Sequence, residues 1–178
     1  MKSSEKGFTL IEVIISVTIM VVASGAAGAA IFQIMGNTQR NSDRMTVVRQ
    51  VENAGYWISR DAQMALSANA TGNTTLPDFL VLRWTTWNGT SGNPTDYSAR
   101  YFFENLTNGT GTLKRSYSVN GAANQTTLIA QYIYYNPTDV ANTSNASYQS
   151  PVLTVKITAL IEQITESKVY RIKHRPNL

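Results

Sequence analysis

The stretch Lys6–Val22, KGFTLIEVIISVTIMVV, decides how the first third of this chain folds. From Val13 to Gln39 no residue is charged, and Val13 to Met35 is mostly apolar. At a rise of about 1.5 Å per residue, a helix of that length crosses a hydrocarbon core of about 30 Å. Lys2 and Lys6 ahead of the run suit entry from the cytoplasm, whereas Arg40, Arg44 and Arg49 beyond it run against the positive-inside rule. The same residues also read as an ordinary signal peptide. Phe8–Val22 would be its apolar core, and Ala23–Ala30 (ASGAAGAA) would supply small residues for cleavage. Composition alone supports both.

Glu12 separates them. A carboxylate inside an apolar helix costs about 2.5–3.5 kcal/mol by insertion scales, so it normally has a cationic partner. None follows it for a full membrane crossing. Cleavage between Gly7 and Phe8 would create one, the α-amine of Phe8, about one helical turn before Glu12. A neighbouring chain displaced along the axis could then bring its amine to this carboxylate, neutralising both charges and fixing a polymer register.

KGFTLIEV resembles the class III signal of type IV pilins and of the pseudopilins of type II secretion. The resemblance implies that a prepilin peptidase cuts after Gly7, that Phe8 is N-methylated, and that Glu12 is the assembly residue. It implies other pilins or pseudopilins and an inner-membrane assembly platform as partners, with membrane lipids before assembly. The implied location is the cell membrane, single-pass with the C-terminal domain outside the cytoplasm, and then an extracellular or periplasmic filament. The apolar run departs from the major pilins in having no proline, leaving Gly25 and Gly28 as its softening points. Ser24, Gly25, Gly28 and Ala29 form a small-residue set that permits close helix packing in a filament core, against the plainer reading of lipid-facing residues.

Beyond Asn37 the composition turns polar while the helical period persists. Met45, Val48, Val51, Gly55, Ile58, Ala62 and Ala65 recur at steps of three or four, one stripe for packing on a domain. Proline is absent from Met1 to Leu76, so the reading is one helix from Phe8 to Leu66, stopped by SANATGNTTLP. In VENAGYWISRDAQMA, Tyr56 and Trp57 would cap the buried face. Arg60 and Asp61 would be solvated or, alternatively, pair with a neighbouring subunit. The R-D-x-x-x-A turn here is similar to minor pilins and pseudopilins of the W- or J-like kind.

From Asp78 the period changes to two. Tyr97, Ala99, Tyr101 and Phe103 share a face, as do Leu113, Arg115, Tyr117 and Val119. Leu128, Ala130, Tyr132 and Tyr134 form a third such set, and Leu153, Val155, Ile157, Ala159 and Ile161 a fourth. With FLVLRW and KVYRIKH, six strands are expected, joined in part by ENLTNGTGT and EQITESK. The fold class is α+β: a long N-terminal helix, membrane-spanning then amphipathic, packed on an antiparallel sheet. The segments are a leader (1–7), a transmembrane and assembly helix (8–37), its amphipathic second half (38–67) and a β-sheet domain (68–178). The strand rhythm of ARYFFENLTNGTGTLKRS and TLIAQYIYY also resembles the minor subunits.

Other function classes find little support. The chain has no cysteine and one histidine, His174, which removes disulfides, thiolate sites and most triads. With no P-loop, zinc spacing or nucleophile elbow, no enzyme activity, cofactor or metal is expected. The net charge of +4 is spread unevenly without forming a dense basic stripe, so nucleic acid is not an expected partner. A secreted or membrane-anchored surface binding protein, including one that takes DNA on Arg40, Arg44, Arg49 and Arg60 or on Arg171, Lys173, His174 and Arg175, is the alternative. Sequons begin at Asn69, Asn73, Asn88, Asn105, Asn108, Asn124, Asn142 and Asn145, in the Asn/Thr/Gly-rich turns where such residues are wanted anyway.

Overall fold

The computed structural model describes residues 7–70, 77–87, 93–122, 125–139 and 141–173. Asn73, Asn88, Asn124, His174 and Arg175 lie outside them. The chain divides into two compact units between Ser42 and Asp43. Helix α1 (Leu10–Met64) contributes to both. The remainder is all strand: β1 (Ser67–Ala70), β2 (Asp78–Trp87), β3 (Pro94–Thr107), β4 (Thr110–Val119), β5 (Gln125–Tyr134), β6 (Asn145–Gln149), β7 (Val152–Ile161) and β8 (Ile164–Lys173). The fold is α+β, with one long helix and an antiparallel sheet.

The helix starts at Leu10, two residues later than expected. Thr9 stays outside and caps it: its carbonyl accepts from Glu12 N at 3.1 Å and Val13 N at 3.3 Å. Thr9-Leu10-Ile11-Glu12 has the spacing of a capping box, in which a Glu or Gln at the third helical position supports the start. At the other end Ala65 N donates to Asp61 O at 3.1 Å, and Leu66 N already bonds Arg83 O at 2.9 Å. The chain therefore passes from helix to sheet with almost no loop. Ser67–Ala70, expected as a helix-stopping loop, is β1, paired with Leu80–Arg83. Tertiary pairing overrides the weak local preference of SANA.

The sheet runs β1-β2-β3-β4-β5-β7-β6, with β8 on the other edge of β7. β7 takes β6 along Val152–Lys156 and β5 only at Ile133↔Ala159. β6 was not expected from NASYQ, which is short and polar; it exists because β7 pairs with it and Ser144 precedes it. Ser144 Oγ accepts from Thr158 N at 2.9 Å and donates to Thr158 O at 3.2 Å, so this buried hydroxyl is fully used. The β3–β4 hairpin closes at Asn108–Gly109, with φ of 51° and 78°, as a primed two-residue turn requires.

The core lies between the sheet and the second half of α1. Val51, Ile58 and Ala62 of the expected stripe are buried, against Tyr101, Leu113, Val155 and Ile157. Two positions differ: Val47 is buried rather than Val48, and Met45 is exposed. β5 departs further. Leu128 and Tyr132 are exposed, while Ile129, Ala130 and Ile133 are buried. Register shifts on either side of Leu113, together with Tyr132 at φ 59°, place extra residues in β5. Each bulge flips the faces, so strict alternation fails here.

Candidate functional site

The N-terminal unit offers one candidate site, built around a single carboxylate. Gly7 and Phe8 precede the helix and are exposed. Glu12 is the one acidic residue of the first turn, where the helix dipole favours negative charge. Its side chain is exposed, as are Leu10, Ile11, Val13 and Ile14 around it. The apolar surface that continues to Met35 is exposed as well.

That surface hides its own polar groups. Ser16 Oγ donates to Glu12 O at 2.7 Å, Thr18 Oγ1 to Ile14 O at 2.8 Å and Thr38 Oγ1 to Ile34 O at 2.9 Å. Hydroxyls returned to the preceding turn in this way present hydrocarbon outward, as a lipid environment demands. The helix is long and apolar enough to cross a membrane, and none of its apolar window is buried. Ser24, Gly25 and Ala29 are exposed and Gly28 is half-buried; beyond Gly25 and Gly28 there is open space where a Cβ would stand.

The head unit holds a different polar centre, which sequence reasoning missed. Asp61 is wholly buried, neither solvated nor available to a neighbouring subunit. Arg115 donates to it twice, Nε to Oδ2 at 2.6 Å and Nη2 to Oδ1 at 2.9 Å, and Tyr101 Oη donates to Oδ2 at 2.6 Å. The Arg115 guanidinium stands 5.3 Å from the Trp57 ring centroid and 4.6 Å from that of Tyr117. Arg60 remains exposed, 5.3 Å from the Trp57 ring centroid, and Tyr56, expected to cap the buried face, points to solvent.

Burial, then the neighbouring Asp61 charge and hydrogen bond, push the Tyr101 hydroxyl far above the ordinary tyrosine value. Burial alone would lower Arg115, but the hydrogen bond and charge of Asp61 outweigh it and hold the guanidinium above its usual value. The triad is a closed, satisfied ion pair rather than a reactive group. Its signal in the sequence was the placing of Asp61 directly beside Ala62 on the buried stripe.

Residues 2–28 match the family model described as the prokaryotic N-terminal methylation motif, the signal of type IV pilins and pseudopilins. Searches of curated proteins and of solved structures found no match. The motif covers Gly7, Phe8, Glu12 and the small residues through Gly28. It points to a pilin-like or pseudopilin-like structural subunit.

Proposed function

We propose that this chain is a minor subunit of a type IV pilus or a type II secretion pseudopilus. The observation that carries the reading is the coincidence of the methylation motif with an exposed apolar helix bearing one carboxylate in its first turn. In this account the leader 1–7 is removed by prepilin peptidase, Phe8 becomes the N-methylated first residue, and 8–37 anchors the subunit in the membrane with the domain 68–178 outside the cytoplasm. The subunit then leaves the bilayer for a filament.

Assembly is non-covalent. A neighbour's Phe8 amine meets Glu12 in a low-dielectric bundle, where an unpaired carboxylate would be costly and a paired one fixes register. The surfaces around Ser24, Gly25, Gly28 and Ala29 let the helices approach closely. The minor position rests on the resemblance of the RDAQMA turn and of the 99–135 strands to minor subunits.

Glu12→Gln tests the assembly step cleanly. Glutamine serves a capping box as well as glutamate does, so the helix start is kept while the charge is lost. The variant should be processed and membrane-bound but fail to enter filaments; normal incorporation would remove Glu12 from the mechanism.

A further inference from the structure

In the head unit α1 meets the sheet through two kinds of contact. Apolar contacts from Val51, Ile58 and Ala62 are non-directional, so they resist separation of helix and sheet more than sliding. The polar contacts are different, because each joins one helix position to one strand position. Gln50 Oε1 accepts from Gln131 N at 2.8 Å, and Asn53 Nδ2 donates to Ile129 O at 2.5 Å, both on β5. Tyr170 Oη of β8 donates to Val51 O at 3.1 Å. Near the end of the helix, Asp61 is held by Tyr101 of β3 and Arg115 of β4.

The β5 bonds depend on a break in the sheet. β5 meets β7 at Ile133 alone, so the backbone at Ile129 and Gln131 has no β7 partner. Two helix amides take those peptide groups instead. From Gln50 to Asp61 the bonds span about 16 Å of helix axis at about 1.5 Å per residue. A slide of one residue would break every bond together, since hydrogen bonds weaken steeply with distance and angle.

We propose that these bonds form an axial clasp, which fixes the register of α1 against the sheet and resists a pull along the helix. Its use in holding a head onto a filament rests on the function proposed above. The clasp itself belongs to the head unit and is tested without any filament.

The chain has no cysteine, so introduced ones give unique handles for single-molecule pulling on the full-length protein in detergent. One pair, Met45→Cys with Asn93→Cys, loads the helix against the sheet. A second pair, Gln149→Cys with Gln163→Cys, loads β7 from its β6 turn to its β8 turn, within the sheet alone. In a Gln50→Ala/Asn53→Ala background the unfolding rate at fixed force should rise about tenfold or more in the first geometry, two bonds being lost. It should stay within about twofold in the second, for the same bonds do not lie between those handles. Tyr101→Phe, which keeps the packed ring, should give the same selectivity and serves if the double variant does not fold. Equal acceleration in both geometries, or none in either, would overturn the clasp and leave the filament reading standing.

Discussion

Gly55 of the helix and Tyr170 of β8 share one volume: a Cβ at Gly55 would stand 1.9 Å from Tyr170 Cζ. Glycine in a helix interior costs about 1 kcal/mol against alanine, so its place here is explained by the ring that fills its side. Gly55→Ala should therefore destabilise the head, by about 1–3 kcal/mol for overpacking, despite the better helix former. Denaturant unfolding measures it. Trimming the ring as well, in Gly55→Ala/Tyr170→Ala, should cost less than the two single changes added together.

The buried Asp61 predicts a second outcome. Removing one partner of a buried pair leaves an uncompensated charge, so Arg115→Met should cost about 3–5 kcal/mol. Tyr101→Phe keeps the ring and loses one hydrogen bond to a charged group, about 1.5–3 kcal/mol. Chemical denaturation of both variants checks the order.

The same tyrosine sets an alkaline limit. The Tyr101 pKa is raised in the folded state, first by burial and then by Asp61. Its contribution is thus complete below the unfolded value, near 10, and is lost as pH rises beyond it. Stability measured against pH should fall above about pH 10, and less steeply in Tyr101→Phe. Tyr117 and Tyr170 are raised too, chiefly by burial, so part of the fall should persist.

β5 separates neighbouring side chains by face. Leu128 is 47% exposed and Ile129 is 2% exposed. Leu128→Asp should be nearly neutral, whereas Ile129→Asp buries an unpaired carboxylate and should abolish the folded head. Thermal melts of the two variants decide it; the reverse order, with Leu128→Asp the damaging change, would mean that β5 keeps simple alternation with Leu128 facing the core beside Ala130.

What the sequence made legible were features written locally. The 3.6-residue stripe of Val51, Ile58 and Ala62, the alternation of β3 and β7, and Glu12 alone in an apolar run each show within a few turns or residues. Asp61 was misread because its partners lie 40 and 54 positions away, so that despite its place beside Ala62 on the stripe the carboxylate reads as solvated. β1 and β6 escaped notice because pairing, not propensity, makes them strands. The faces of β5 were misread, Ala130 being buried but Leu128 and Tyr132 exposed, because bulges are set by the register against β4, which no single strand reveals.

The central claim is that Gly7 and Phe8 are a processing site and that Glu12 is kept in the mature protein. Intact mass and N-terminal sequencing of the protein from its native membrane test this most directly. The account predicts a chain that begins at Phe8 and carries one added methyl group. A chain beginning near Ala30 or Ile31 would contradict it, since Glu12 and the apolar helix would then have been discarded with a signal peptide.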